Sequence, residues 1–118
     1  MISIKKNRIE MTRGDTLITT VSIVDKKTGA QYIPVEGDVV TFAVKHATLN
    51  AQQTEYTDSE PLILKEIPTS TMQLRLDPAD TKSLGFGEYV YDVDLTYADG
   101  RVDTFIAKMP FILTEEVH

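Results

Sequence analysis

The stretch EYVYDVDLTYADGRVDTF, residues 88–105, places apolar side chains at every second position and is interrupted once, at Ala98-Asp99-Gly100. A period of two puts alternate side chains on opposite faces of an extended strand, whereas a helix needs apolar residues three and four apart. The same alternation recurs over most of the chain, and no segment sustains the helical period. The sequence is therefore that of a half-buried sheet protein.

Residues 16–24 repeat the pattern, with Leu17, Thr19, Val21 and Ile23 on one face and Ile18, Thr20, Ser22 and Val24 on the other. Most positions are β-branched, which suits a pleated surface. Ahead of this run, Ile2/Ile4 and Ile9/Met11 predict one or two shorter edge strands. Asp25 to Gly29 is a reversal, followed by a loop through Ile33-Pro34-Val35-Glu36-Gly37. Residues 39–45 set Val40, Phe42 and Val44 inward, and residues 62–67 and 72–76 are two further short strands. The only helical signal lies at residues 77–84: Asp77 as N-cap, Pro78 in the first turn, Asp80 near the positive end, and Gly85 as the stop.

Asp99-Gly100 is the preferred centre of a two-residue type I′ turn. That turn would face Tyr97 with Val102, Leu95 with Thr104 and Val93 with Ile106. Pro110 cannot donate to a ladder, so a bulge or sheet edge is expected near residues 108–110. Seven to nine short strands with turn signals every ten residues or so, and one short helical turn, predict an all-β, Ig-like antiparallel β-sandwich. At 118 residues it forms a single domain, 1–118.

The chain has no cysteine, which excludes disulfides and thiolate metal sites. Its 18 acidic and 12 basic residues give a net charge of −6. Nucleic-acid binding draws its affinity from Lys and Arg displacing counterions, so no nucleic-acid partner is expected. The cluster Lys5-Lys6-Arg8 reads as a solvated edge. MISIKKNRIE lacks the apolar run of a signal peptide, and no segment reaches the length of a membrane span. Unless it is a fragment, the chain is expected to be made and kept in the cytoplasm, or to leave the cell by lysis or as part of a particle, with no membrane partner.

No catalytic constellation emerges. Asp92, Asp94 and Asp103 are expected on the face opposite the tyrosines, where a flat strand offers too few oxygens for calcium. A solvated face paired with Lys45 or Arg75 is the alternative. Glu55, Asp58 and Glu60 lie in a polar loop without the rigid spacing that glycoside chemistry needs. His46 and His118 have no Cys or His partners, and no Ser or Thr sits in a nucleophile elbow. No catalytic, metal or cofactor site is expected, and the chain reads as a non-enzyme.

Arg13-Gly14-Asp15 has the composition of an adhesion tripeptide. It precedes the most β-prone run in the chain, and its Gly and Asp are turn residues, so it reads as a turn. Tyr91 and Tyr97 share a core-facing row with Tyr89, while Tyr32 and Tyr56 fall in loops. The segment 46–60 is long, polar and aperiodic, as contact loops are. Leu49, Tyr56 and Tyr32 are therefore the expected protein-contact residues.

Three stretches, MTRGDTLITTVSIVD, YIPVEGDVVTFAVK and DPADTKSLGFGEYVYDVDLTYADGRVDTF, together resemble small bacteriophage and prophage virion proteins, and specifically the Ig-like N-terminal domain of siphophage baseplate upper proteins. The likeness lies in an Arg-Gly-Asp-Thr turn opening the first long strand, and in a helical turn and Gly-x-Tyr-x-Tyr-Asp-Val leading to the last hairpin. It implies a tail- or baseplate-associated structural protein, with other virion or tail proteins as partners and a homo-oligomer as a further possibility. The chain ends without a coiled-coil or receptor-binding part, which favours a small tail or baseplate component. A small adhesion or carbohydrate-binding module using residues 46–60 with Tyr32 and Tyr56 is the alternative. In Ig-like domains a tyrosine at the start of a late strand ties down the preceding loop, and Tyr89 holds that position.

Overall fold

A computed structural model describes residues 2–5, 8–24, 28–46 and 61–115, with the side chains of 2–5, 105, 107 and 108 excepted. The described chain is all-β with one short helix. Its order is β1 (Ile2–Lys5), β2 (Arg8–Thr12), β3 (Leu17–Thr20), β4 (Ile23–Val24), β5 (Gln31–Tyr32), β6 (Val39–His46), β7 (Ile63–Ile67), β8 (Gln73–Leu76), α1 (Pro78–Lys82), β9 (Gly87–Thr96) and β10 (Val102–Thr114). A curled sheet of order β1-β2-β10-β9-β6-β7 forms the body, and β3-β8 and β4-β5 form two-stranded sheets. One buried cluster joins them. The large sheet gives it Ile9, Met11, Phe42, Val93 and Phe111, and the small sheets give it Leu17, Ile23, Leu74 and Leu76.

The alternation at residues 16–24 folds as it reads: Leu17 and Ile23 are buried, Ile18 and Val24 exposed. It is not one strand, however. β3 pairs with β8, β4 pairs with β5, and Val21-Ser22 separates them. Val40, Phe42 and Val44 are fully buried, and Phe42 packs its ring 5.3 Å from Tyr91 and 6.2 Å from Phe111. β2 is not an edge strand. It runs parallel to the end of β10, with Ile9 opposite Phe111 and Met11 opposite Leu113, and β1 takes the edge. That parallel pair is the exception to an otherwise antiparallel arrangement.

The last hairpin departs from its expected register. Val102 pairs with Thr96, Asp103 with Leu95 and Thr104 with Asp94. The Gly100 N–H donates to the Tyr97 carbonyl at 2.9 Å, and the Tyr97 N–H donates to the Arg101 carbonyl at 2.8 Å. Gly100 has φ +93° while Asp99 does not have a positive φ, which a type I′ turn would require of both. The loop is thus three residues long, with Gly100 in the left-handed bulge position. One extra loop residue slides the register by one and turns side chains to the other face. A bulge between Thr104 and Ile106 then restores the expected Val93–Ile106 pair, and a second irregularity between Ile106 and Met109 lies next to Pro110.

The helical turn starts where expected: the Asp77 N–H donates to Asp80 Oδ2 at 2.7 Å. It ends at Ser83, ahead of Gly85, whose backbone is not left-handed. No helix among the described residues is long and apolar enough to cross a membrane.

Candidate functional site

The richest polar cluster lies where the β5–β6 loop meets the β9–β10 hairpin. Asp38, just before β6, is 8% exposed. Its Oδ2 accepts the Tyr32 hydroxyl at 2.6 Å and the Val35 N–H at 3.0 Å, and the Ala98 backbone contributes a further hydrogen bond. The Asp38 N–H in turn donates to the Val35 carbonyl at 3.0 Å. The Tyr32 hydroxyl, followed by the backbone donors, holds the Asp38 carboxyl below its ordinary value. The same hydrogen bond, with burial, pushes the Tyr32 phenol up to about 12.

Gly37 makes the junction close. With φ +95°, it lies so near the hairpin that a Cβ placed on it would sit 2.7 Å from Ala98 Cβ. Beyond Ala98, Tyr97 meets Tyr32 edge-on with centroids 6.2 Å apart, and the Arg101 guanidinium lies 4.9 Å from the Tyr97 ring centre. Tyr97 donates to Asp103 Oδ2 at 2.7 Å, which raises its pKa, and Arg101 Nε bonds Asp99 Oδ2 at 2.8 Å. Around this network Ile33, Val35 and Val102 are 66%, 62% and 57% exposed. Val39 and Val102 both face Thr96, so they extend the apolar surface along the outer side of the sheet.

Tyr32 is therefore the one expected contact residue that the described structure places, and its hydroxyl is engaged inside the protein. Leu49 and Tyr56, like Glu55, Asp58, Glu60 and His118, lie outside the described residues. The acidic trio does not share one face. Asp92 pairs with Lys45 at 3.6 Å and Asp94 accepts the Thr104 hydroxyl at 2.7 Å, but the shifted register carries Asp103 round to Tyr97. Arg75 bonds Asp77 instead, at 2.8 Å. No group of three or more potential metal ligands gathers among the described residues. Asp38, Gly37 and Ala98 escaped the sequence reading because their partners are remote or are backbone groups.

Arg13-Gly14-Asp15 is a turn. The Asp15 N–H donates to the Thr12 carbonyl at 3.1 Å, and Gly14 has φ +87° at the third position, as in a type II turn. The turn is held from behind. The Gly14 N–H donates to the buried Thr81 hydroxyl at 2.8 Å, Arg13 Nη1 donates to the Leu84 carbonyl at 3.3 Å, and its guanidinium lies 4.4 Å from the Phe86 ring centre. Tyr89, buried at the start of β9, donates to the Gly85 carbonyl at 2.8 Å and so has the geometry of a tyrosine corner.

Two cavities flank β3 and β4. One, of about 220 Å³, is lined by Thr19 to Ser22 and by Ile9, Phe42 and Ile106. The other, of about 200 Å³, is lined by Gln31, Tyr32, Ile33 and the hydroxyl-bearing turn Thr69-Ser70-Thr71. The described chain is all-β with one short helix, and several of its polar side chains tie loops together. No protein-family model, curated protein or solved structure matches it.

Proposed function

We propose that the chain is a non-enzymatic structural protein that works by protein–protein assembly, in a phage or prophage particle associated with its tail or baseplate. One observation carries the assembly part. At the Tyr32–Asp38 end, Asp38, Asp99 and Asp103 each have an intramolecular donor, while Ile33, Val35 and Val102 are exposed around them. Hydrogen bonds hold the Asp38 and Asp99 carboxyls below their usual range, so these two are ionised at neutral pH and do not serve there as general acids. A hydrogen-bonded frame bearing exposed apolar residues suits a contact surface. The particle assignment draws on the resemblance carried by the Arg-Gly-Asp-Thr turn, the helical turn and the Gly-x-Tyr-x-Tyr-Asp-Val strand. The Ig-like description draws support from the Tyr89–Gly85 corner. Mass spectrometry of purified particles from the producing cell tests the proposal. The chain should co-purify with the tail fraction, and its consistent absence overturns the assignment.

The second reading, a carbohydrate-binding module, is favoured by the smaller cavity. Its lining mixes the Tyr32 ring with Gln31, Thr and Ser groups and has no charged residue, as neutral sugars prefer. Retention on immobilised glycans that is lost on Gln31→Ala would support it over the first.

A further inference from the structure

Among the described residues, β3 is hydrogen-bonded on one side only. Its ladder to β8 opposes Leu17 to Leu76, Ile18 to Arg75, Thr19 to Leu74 and Thr20 to Gln73, and the Val21 N–H extends it to the Met72 carbonyl at 2.8 Å. In an antiparallel ladder, residues whose backbone groups meet the partner alternate with residues whose groups point away. Val21 meets β8, so Thr19 and Leu17 do too, and the backbone groups of Ile18, Thr20 and Ser22 point to the far side. No other strand pairs with β3 there among the described residues.

Exposed edges are usually blunted by charge, proline or a bulge. The two edges of the six-stranded sheet follow that rule: β1 ends at Lys5, and β7 carries Lys65 and Glu66. Residues 16–24, TLITTVSIV, contain no charge and no proline in a chain that is 25% charged. Ile18 and Val24 are 51% and 52% exposed, and the 220 Å³ cavity opens beside the same segment. This edge is fit to accept a strand.

We infer that the strand it accepts is β3 of a second copy, paired antiparallel about a two-fold axis at Thr20. Charge permits this partner: two chains of net charge −6 repel each other overall, but pairing along this charge-free edge opposes no like charges at close range. The edge is also self-complementary: Thr20 faces the partner's Thr20, and Ile18 faces the partner's Ser22. Each opposed pair exchanges both N–H···O bonds, which satisfies the outward groups and builds a continuous β8-β3-β3-β8 sheet. The inference deepens the assembly reading but is tested apart from it: a monomeric protein found in particles would overturn the dimer and leave that reading standing.

Sedimentation equilibrium from micromolar to millimolar concentration should show the mass rising from 13.2 kDa toward twice that value. Thr20→Lys sets two ammonium groups opposite each other on the axis, and should weaken association at least about tenfold without lowering the melting temperature measured at concentrations where the chain is monomeric. Leu64→Lys, on the β7 edge of the six-stranded sheet, should leave it unchanged. In this cysteine-free chain, a short thiol-to-thiol cross-linker should couple Thr20→Cys protein into dimers and leave Leu64→Cys protein uncoupled. A monomer at millimolar concentration overturns the inference, as does a dimer indifferent to Thr20→Lys or broken by Leu64→Lys.

Discussion

The Tyr32 hydroxyl and Asp38 Oδ2 stand 2.6 Å apart, and this bond ties β5 to the start of β6. It couples two titrations. Tyr32 is raised from 10.0 to about 12, so its stabilising effect is complete below pH 10 and fades as pH climbs toward 12. Asp38 is lowered from 3.8, so its effect is present above that value and is lost as pH falls through the folded-state pKa. Phenolate absorbance should therefore show Tyr32 ionising late, and Asp38→Asn should move that midpoint down toward 10. Tyr91 also titrates at about 12, from burial alone, and should not move. A Tyr32 midpoint unchanged in Asp38→Asn would show that the bond does not set the shift.

Gly37 and Ala98 should be energetically coupled. A side chain at Gly37 must adopt φ +95° and also meet Ala98 Cβ at 2.7 Å. Gly37→Ala should cost about 1–2 kcal/mol from the backbone and more from the overlap. At Gly100, φ is +93° but nothing lies within 4 Å of the added Cβ, so Gly100→Ala should cost the backbone part alone. Ala98→Gly should recover part of the Gly37→Ala loss in a double-mutant cycle. Equal losses at the two glycines, with no coupling, would refute the close approach.

Tyr89→Phe should destabilise by about 0.5–1.5 kcal/mol, the net worth of an ordinary hydrogen bond. The change removes only the hydroxyl that donates to the Gly85 carbonyl, and leaves the buried ring in the core. Urea denaturation measures it. A midpoint equal to that of the unsubstituted chain would mean that the corner does not hold the loop in solution.

Most strand faces were legible because burial largely follows a period of two, although Ala43 and Val90 are buried along with both their neighbours. Leu17 against Ile18 and Phe42 against Thr41 could be assigned without any knowledge of their partners. The final hairpin was half legible. Asp99-Gly100 announces a turn, but a two-residue type I′ loop and a three-residue loop with a bulge both seek glycine at a left-handed position. The three-residue loop occurs together with a bulge before Ile106, and in that register Asp103 lies beside Tyr97. The Tyr32 end was less legible still. Asp38 draws its donors from Tyr32, from Val35 and from Ala98, sixty positions away, and two of the three are backbone groups that no residue pattern encodes. The open edge of β3 depends on β2 choosing β10 as its neighbour, a choice made by the whole sheet rather than by residues 16–24.

Thr81 gives the sharpest test of what Arg13-Gly14-Asp15 is for. Its side chain is fully buried, and its hydroxyl oxygen accepts the Gly14 N–H at 2.8 Å, fixing the turn to α1. Thr81→Val keeps the shape but withdraws the acceptor, leaving a part-buried N–H unpaired. Such a loss costs about 1–3 kcal/mol, far more than an exposed substitution. The variant should melt earlier, and amide exchange at Gly14 should accelerate more than exchange in β6. Because Arg13 is half-buried, bonded to Leu84 and stacked on Phe86, the tripeptide is not displayed on a protruding loop. Cells plated on the purified protein should show no adhesion that depends on Asp15, and Asp15→Glu should leave partner binding intact. Adhesion abolished by Asp15→Glu, with stability unchanged in Thr81→Val, would reverse the assignment and make the turn a recognition site.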